Sequence, residues 1–447
     1  MAASSTPRRA HKPRSSASRF NAWIRRLGSG LARPLFAVLL AIIAGGIVII
    51  ITTPGSPIDR LNAVFAAYES LVQGSLGNPQ SLAFTLVRVG PLILTGLSVA
   101  IAFRAGLFNI GAEGQLAMGA MTAAIIAFKL TFLPAWLLIP LMLIASMLAG
   151  AIWGGIVGLL KAWRGAHEVV TTIMLNWVAF YFTDFLINGP FKSPNEADQT
   201  ASLPTKATIP SIVNVYNQTF GTFLPKVANP LSYPVDMSIF LSLLALVVYW
   251  FVTSRTTFGY EIRVIGQNQK AAKYAGIPIK RNMFLVMALS GAFSGLAGAI
   301  HLMGQFPYQL IATTFSIDPT GFDAIGVALL GRTTAIGVLL SSILFGGLRQ
   351  GGTFMQINAN VPGDLVYILQ ALVLFSIAAE FLPAIQRVLP KWLRSDRRPA
   401  LVPSIAGVSV VGIEGTFIEN GDNTANELVD HQTVQNASAA LMPGEEE

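Results

Sequence analysis

Cysteine is absent from the 447 residues, and charged side chains are scarce. The missing thiols exclude a disulfide framework, thiolate chemistry and a cysteine-ligated metal. Charged residues make up 12% of the chain, whereas a soluble domain carries about 25%. So few charges cannot coat a surface that faces water. Because 53% of the residues are hydrophobic and the mean hydropathy is +0.59, lipid is the expected solvent.

Several motifs are also missing. No G-x-x-x-x-G-K-[ST] phosphate loop occurs, so any ATP hydrolysis must lie on another chain. No His, Asp and Glu cluster has metal-ligand spacing, and no nucleophile elbow or pair of carboxylates suggests an enzyme. The net charge of +8 comes without an aromatic and basic platform or finger spacing, which argues against nucleic-acid binding. We therefore expect no cofactor on this chain and no nucleic-acid partner.

Apolar runs of membrane-spanning length recur along the chain. Residues 35–51, 130–160 and 237–254 carry no charge, and about 20 apolar residues in a helix cross a hydrocarbon core of about 30 Å. After the run at 35–51, apolar segments centre near residues 94, 120, 146, 178, 245, 292, 326, 342 and 373, which makes ten with the first. The predicted fold is therefore an all-α polytopic membrane protein of about ten transmembrane helices, in two pseudo-repeated halves with broken helices.

Basic residues indicate the orientation. Eight Arg and Lys residues lie between Arg8 and Arg33 with no acid among them, and cytoplasmic segments carry such an excess. The first apolar run lacks a small-residue cleavage site, so we expect a retained signal anchor. Basic loops also occur at residues 161–164, 255–281 and 387–398, whereas the long link at 189–236 has only three lysines. We therefore predict that both termini are cytoplasmic and that the link is external.

The same features divide the chain into three parts. We predict a basic cytoplasmic segment, a transmembrane domain and an acidic, disordered cytoplasmic tail, at residues 1–33, 34–390 and 391–447. The predicted disorder follows from the composition of the tail, because residues 399–447 contain eight acidic side chains and no Lys or Arg.

Two glycine-rich segments, Arg104–Gln115 and Gly321–Arg332, interrupt the apolar pattern. Non-helical backbone at membrane depth is tolerated only where protein or a water-filled cavity covers it, and broken helices often present their ends to a transported solute. Buried polar side chains add to this indication, since they are costly in lipid unless they find partners. The candidate path residues are Phe108, Asn109, Glu113, Gln115, Asn176, His301, Gln305 and Asp323.

At several positions, a structural role is an alternative to a role in lining the path. For Gly291–Gly298, a series of small residues, close helix packing is the preferred interpretation. His301 can equally be a satisfied residue at a helix end. Arg88 and Arg104 bracket the second span, and we expect their side chains to extend to opposite interfaces.

The segment Thr256–Lys280 has the pattern of a short, capped helix. Asn268 can cap a helix that runs through Tyr274, Gly276 can end it, and Pro278 prevents its continuation. Such a helix on the inner side is well shaped for docking into a groove of a soluble partner.

Three motifs resemble those of a known family: RAGLFNIGAEGQ (104–115), HEVVTTIMLN (167–176) and GYEIRVIGQNQKAAKYAGI (259–277). They are similar to motifs of bacterial ABC importer permeases in the branched-chain amino acid, ribose and nucleoside superfamily, above all its nucleoside branch, which is linked to basic membrane proteins. The resemblance covers residues 82–382. It implies a multi-pass permease subunit in the bacterial cytoplasmic membrane, with residues 266–276 as the helix that receives motion from the ATPase.

The resemblance also implies partners. These are an ATP-binding subunit that uses ATP and Mg, a homologous second permease subunit in a heterodimer, and an extracytoplasmic substrate-binding lipoprotein. The residues implied in ATPase coupling are Gly266, Asn268, Ala271, Ala272, Ala275 and Gly276.

Other classes of membrane protein stay open. A secondary transporter driven by a proton or sodium gradient also has broken helices, but usually buries several ionisable side chains, and here Glu113 and Asp323 are the main deep candidates. An ABC permease for a sugar or a branched-chain amino acid is a second alternative, and a channel a third. The sequence leaves the nucleoside, the pairing of the permease and the direction of transport undetermined.

Overall fold

The computed structural model describes residues 38–221, 223, 225–312, 319–359, 361–362 and 364–379. The predicted basic segment 1–33 and the tail 391–447 lie outside these residues. The described chain is helical and contains isolated antiparallel bridges but no β-strand. The prediction of an all-α membrane protein is therefore confirmed for this part of the chain.

Fourteen α-helices are numbered here along the described residues. They are α1 Val38–Thr52, α2 Pro57–Leu76, α3 Pro79–Arg104, α4 Ala112–Lys129, α5 Ala135–Leu159, α6 Glu168–Asn188, α7 Ile212–Thr219, α8 Ser238–Arg255, α9 Thr257–Gln267, α10 Gln269–Tyr274, α11 Ile279–Gly304, α12 Thr320–Leu330, α13 Ala335–Ala359 and α14 Asp364–Ala379. A π-helical turn, Leu160–Arg164, extends α5.

A helix lies at each of the ten positions where hydropathy predicts a span. Five described helices, α3, α5 with its extension, α6, α8 and α11, are long and apolar enough to cross a membrane by length and composition. Shorter apolar helices occur at Val38–Thr52, Thr320–Leu330 and Asp364–Phe375. The chain is therefore a multi-pass membrane protein.

Glycines bring α11 into backbone contact with α4 and α5. A Cβ atom added at Gly291 would lie 2.0 Å from the carbonyl oxygen of Gly150 on α5. One added at Gly298 would lie 2.0 Å from the carbonyl oxygen of Leu116 on α4. Side chains of any size would separate these helices, so the packing interpretation of Gly291–Gly298 is confirmed.

The remaining helices surround this centre. Helix α3, most of it buried, packs against α8, α11, α12 and α13. A second apolar cluster joins α1, α2, α13 and α14 around Ile49, Ala67 and Leu369. Helix α2 begins with a capping box in which Ser56 and Asp59 bond each other's backbone N–H groups.

The predicted coupling segment and external link lie at opposite ends of α11. Helix α10 leads directly into α11, whereas the link forms hydrogen bonds at the other end of α11 and just beyond it: Ile209 N donates to Met303 O at 2.9 Å and Leu203 N to Tyr308 O at 2.8 Å. The 26 residues of α11 separate these ends by about 39 Å. Burial raises the pKa of Asp236 in the link, although its carboxylate accepts a hydrogen bond from Ser238 N.

The first predicted break is observed, and the second differs. Helix α3 ends at Arg104, with Gly106 at φ +72° in a Schellman motif, and α4 begins only at Ala112. The prediction of broken backbone across Gly321–Arg332 is wrong for most of that segment, because Thr320–Leu330 forms α12. Its glycines are used for close packing instead: a Cβ added at Gly326 would lie 2.7 Å from the Phe345 ring. The break falls after α12, before α13 begins at Ala335.

Candidate functional site

Two amide side chains form a closed pair where α3 and α4 are interrupted. Asn109 Nδ2 donates to Gln115 Oε1 at 2.9 Å, and Gln115 Nε2 donates back to Asn109 Oδ1 at 3.1 Å. Asn109 also donates to Ser290 Oγ on α11 at 2.7 Å and accepts from Gly111 N at 3.0 Å. The two amides are at most 1% exposed. These hydrogen bonds offset the free-energy cost of burying two amide side chains at membrane depth.

Three serines extend the amide pair between α3 and α11. Ser294 Oγ donates to Ser98 Oγ at 2.8 Å, and Ser290 Oγ donates to the Ser98 carbonyl at 2.7 Å. Sequence reasoning missed all three, because a serine in an apolar helix has the same pattern as any small packing residue. The one available signal is the spacing of Ser290 and Ser294, which places them on the same face of α11.

Asn176 on α6 holds the interruption from the other side. Its Oδ1 accepts from Gly114 N at 2.9 Å, and its Nδ2 donates to Ile110 O at 2.9 Å. A helix leaves its first N–H groups without partners inside the helix, so Asn176 satisfies one of those of α4. The structure thus brings Asn176 together with Asn109 and Gln115.

Glu113 joins the starts of two helices. Its Oε2 accepts a hydrogen bond from Gly321 N, and a Cβ added at Gly321 would lie 2.4 Å from Glu113 N. Glu113 lies in the first turn of α4 and Gly321 in the first turn of α12. The positive ends of both helix dipoles therefore stabilise this carboxylate, each by about 0.3–1 kcal/mol and up to about 2 kcal/mol in partly buried geometries.

An ion pair lies two residues further along α12. Asp323 Oδ2 is 3.0 Å from Arg349 Nε, with side chains 12% and 7% exposed, and Arg349 Nη1 donates to Thr320 Oγ1 at 3.1 Å. Sequence reasoning found Asp323 but missed Arg349 and Gln350, which accepts from Arg88 Nε at 3.0 Å. Arg349 was detectable, because a charge inside an apolar, glycine-rich run is a functional indication in itself.

Two predicted path residues, His301 and Gln305, lie apart from these groups, whereas Phe108 directly precedes Asn109. His301 is seven residues beyond Ser294 on α11, about 10 Å further along the helix axis. Gln305 caps the same helix and donates from Nε2 to Val87 O at 3.4 Å. Phe108 is half-buried and meets Phe103 edge-to-face, with ring centroids 5.1 Å apart.

The predicted cap of the coupling segment is confirmed. Asn268 Oδ1 accepts from Lys270 N at 2.9 Å and Ala271 N at 3.1 Å, and Gly276 ends α10 with φ +73°. The small side chains divide between two faces. Ala271 and Ala275 are exposed, whereas Ala272 is 0% exposed and packs inside the chain.

The other end of the coupling segment packs on α3. A Cβ added at Gly266 would lie 2.3 Å from the Arg104 carbonyl oxygen. The Arg104 side chain, which we expected to extend to an interface, donates from Nε and Nη2 to Thr333 O at 3.0 and 2.8 Å. Thr333 and Arg332 have φ values of +53° and +49°, a backbone region that costs an L-residue about 1–2 kcal/mol.

Buried polar groups gathered at interrupted helices inside an apolar helical bundle are characteristic of membrane transport proteins. Among the described residues, no group of three or more His, Cys, Asp or Glu is placed to hold a metal ion. The family of permease components of branched-chain amino acid transport systems matches residues 81–378, and the chain belongs to that family.

Relatives with named functions agree with the motif resemblance. The guanosine ABC transporter permease protein NupP of Bacillus subtilis (strain 168) is 37% identical over 82% of this chain and 98% of its own length. The nucleoside ABC transporter permease protein NupB of Lactococcus lactis subsp. cremoris (strain MG1363) is 33% identical, over 80% and 93%. The glucose ABC transporter permease protein TsgB13 of Haloferax volcanii is 34% identical, over 78% and 87%. No solved structure matches the chain.

Proposed function

We propose that this chain is the transmembrane permease subunit of an ATP-driven ABC importer and that its solute is a nucleoside. Family membership supports the permease role. The names of the relatives NupP and NupB, which cover most of both chains, support the nucleoside as substrate. ATP and Mg are used by a separate ATP-binding subunit.

The observation that carries the proposal is the exposed face of α10. Ala271 and Ala275 present small side chains to solvent on a helix capped at both ends, so a partner can approach its backbone closely. Gly266, near the end of α9, packs against the backbone of α3. The segment that leads to α10 is therefore held against the helical bundle. This face is where we place the ATP-binding subunit.

The proposed solute path runs past Asn109, Glu113, Gln115, Asn176 and Asp323. A residue that lines a path must meet water at some stage, yet the first four of these are at most 2% exposed. The conformation described is therefore closed at this depth. The path opens if α12 separates from α4 at the bond between Glu113 and Gly321. Phe108 flanks this point, and His301 and Gln305 belong to an external vestibule.

The assembly follows from the same proposal. A homologous second permease subunit completes the membrane part as a heterodimer, and an extracytoplasmic lipoprotein delivers the solute to the end bearing the link. The helices at the ten predicted span positions cross the bacterial cytoplasmic membrane, and both termini of the chain lie inside. Opposite placement of α10 and the link along α11 supports this orientation.

Two alternatives have specific support. The relative TsgB13, named for glucose, favours a sugar as the solute. Buried Glu113 with the Asp323 and Arg349 pair favours a secondary transporter that couples to protons or sodium.

Purification from the native host tests the proposal. The solubilised chain should retain an ATP-binding subunit, and its bound ligand, identified by mass spectrometry, should be a nucleoside. The chain freed of partners should bind no ATP. Nucleotide binding by the isolated chain would contradict its assignment as a permease subunit. A bound sugar would show that the solute is a sugar and not a nucleoside.

Matched tryptophan variants locate the docking face. Ala271→Trp and Ala275→Trp should lose the ATP-binding subunit while the chain keeps its thermal stability, because both positions are exposed. Ala197→Trp, exposed in the link, is the control and should keep it. Ala272→Trp should instead destabilise the chain itself, since overpacking a buried site typically costs about 1–3 kcal/mol. Retention of the subunit by both exposed variants would place the docking surface elsewhere, for example in the loop Lys161–Glu168.

A further inference from the structure

Side chains from two helices hold one backbone carbonyl at the end of the bundle that bears α9 and α10. The carbonyl oxygen of Thr333 accepts from Arg104 Nε at 3.0 Å, from Arg104 Nη2 at 2.8 Å and from the Tyr249 hydroxyl at 2.6 Å. The guanidinium carbon of Arg104 also lies 5.3 Å from the centre of the Tyr249 ring. We call Arg104, Tyr249 and Thr333 the carbonyl clasp.

The clasp holds a turn with an unfavourable backbone. Helix α12 ends in a Schellman motif: Thr333 N donates to Ala328 O at 3.0 Å and Arg332 N to Leu329 O at 3.0 Å. Arg332, with φ +49°, occupies the position that glycine usually fills, and Thr333, a β-branched residue, is also left-handed at φ +53°. External contacts must maintain such a conformation, and the clasp supplies three hydrogen bonds that do so.

The clasp touches the coupling segment directly. The backbone of Gly266, at the end of α9, packs on the Arg104 carbonyl, since an added Cβ would lie 2.3 Å from that oxygen. Gly106 packs on the same glycine, because its added Cβ would lie 3.2 Å from Gly266 Cα. No side chain separates the two backbones, so a displacement of α9 must displace the end of α3 or break this contact.

Helix α12 connects the clasp to the candidate path. Its 11 residues span about 16 Å, with the clasp at one end and the Gly321–Glu113 bond at the other. Most of the helix is buried against α3 and α13. A short, packed helix moves as a unit, so a shift of its C-terminal turn reaches its first turn.

We propose that Arg104 and Tyr249 are positioning residues that couple the movement of α9 and α10, through α12, to the opening of the path at Glu113. The proposal rests on the proposed docking of an ATP-binding subunit to α10. The proposed role of Arg104 goes beyond the general attraction between a cation and the C-terminal end of a helix. Any cation would interact with the C-terminal dipole of α3, but only a guanidinium can place two donors on one carbonyl.

The test uses the complete transporter, reconstituted in lipid vesicles with the partners that purify with it. Arg104→Lys keeps the charge and removes one of the two donors. Tyr249→Phe keeps the ring and removes only the hydroxyl. The matched controls are Arg60→Lys on α2, whose Nε donates to the Gly55 carbonyl at 3.2 Å, and Tyr68→Phe, whose hydroxyl also donates to a backbone carbonyl, that of Ile42.

The decisive readout is the amount of solute taken up per ATP hydrolysed, which a purely structural role would not change. Both clasp variants should retain the ATP-binding subunit and basal hydrolysis but lose about fivefold to tenfold in this ratio, the size of effect expected from one lost hydrogen bond. The controls should keep the wild-type ratio. An unchanged ratio in both clasp variants overturns the proposal, as does a fall in thermal stability and assembly without a change in the ratio. If the wild-type protein shows no ATP-driven uptake, the proposed function fails, whatever the clasp does.

Discussion

Replacing Glu113 by glutamine separates its charge from its shape. The carboxylate accepts from Gly321 N and lies at the starts of both α4 and α12. A hydrogen bond to a charged group contributes about 1.5–3 kcal/mol and a neutral one about 1 kcal/mol. Glu113→Gln keeps an acceptor and should therefore weaken the contact between α4 and α12 by about 0.5–2 kcal/mol, roughly 2-fold to 30-fold in an equilibrium constant.

The structure predicts how this loss appears in an assay. The closed state is destabilised relative to the open state, so ATP-driven uptake should fall while the amount of assembled transporter changes little. Glu113→Ala removes the acceptor and should lower uptake further and also lower the unfolding temperature. Glu69→Gln on α2, an exposed carboxylate that accepts from Gln73 Nε2 at 2.9 Å, is the matched control. Normal uptake by both Glu113 variants would show that the charge of Glu113 is not needed for transport and would leave this residue a packing role only.

Two further predictions concern packing and orientation. Gly291→Ala and Gly298→Ala should each destabilise the solubilised protein by at least about 1–3 kcal/mol, because the new methyl group would lie 2.0 Å from a backbone oxygen. The control is Gly90→Ala, whose new methyl group would lie 3.5 Å from its nearest neighbour. This control should unfold like the wild type in a thermal scan. In the cysteine-free chain, Ala197→Cys should react with an impermeant maleimide on intact cells and Ala271→Cys only after the membrane is opened; the reverse pattern contradicts the proposed orientation.

Local rules account for what the sequence could predict. Asn268 and Gly276 define α10 because a cap and a left-handed glycine act within a few residues. Asn109, Glu113 and Gln115 were recognisable because polar side chains at membrane depth need partners. The family resemblance came from three contiguous motifs and needed no structure.

Long-range packing decided what the sequence could not predict. Gly321 and Gly326 have the pattern of a break, yet they lie in α12 because neighbouring helices use the space that a side chain would fill. The burial of the Ala272 side chain depends on packing between α10 and the rest of the chain. The contacts of Arg104 could not be predicted because its partners, Tyr249 and Thr333, are far away in the chain.

Uptake into sealed vesicles tests whether this chain forms the path of an ATP-driven nucleoside importer. The complete transporter is reconstituted with ATP on the side of the ATP-binding subunit, and the entry of a radiolabelled nucleoside is measured with and without ionophores that collapse proton and sodium gradients. Uptake should require ATP, persist with the ionophores and fall in Glu113→Gln. Uptake that needs no ATP and stops when the ionophores are added would contradict it.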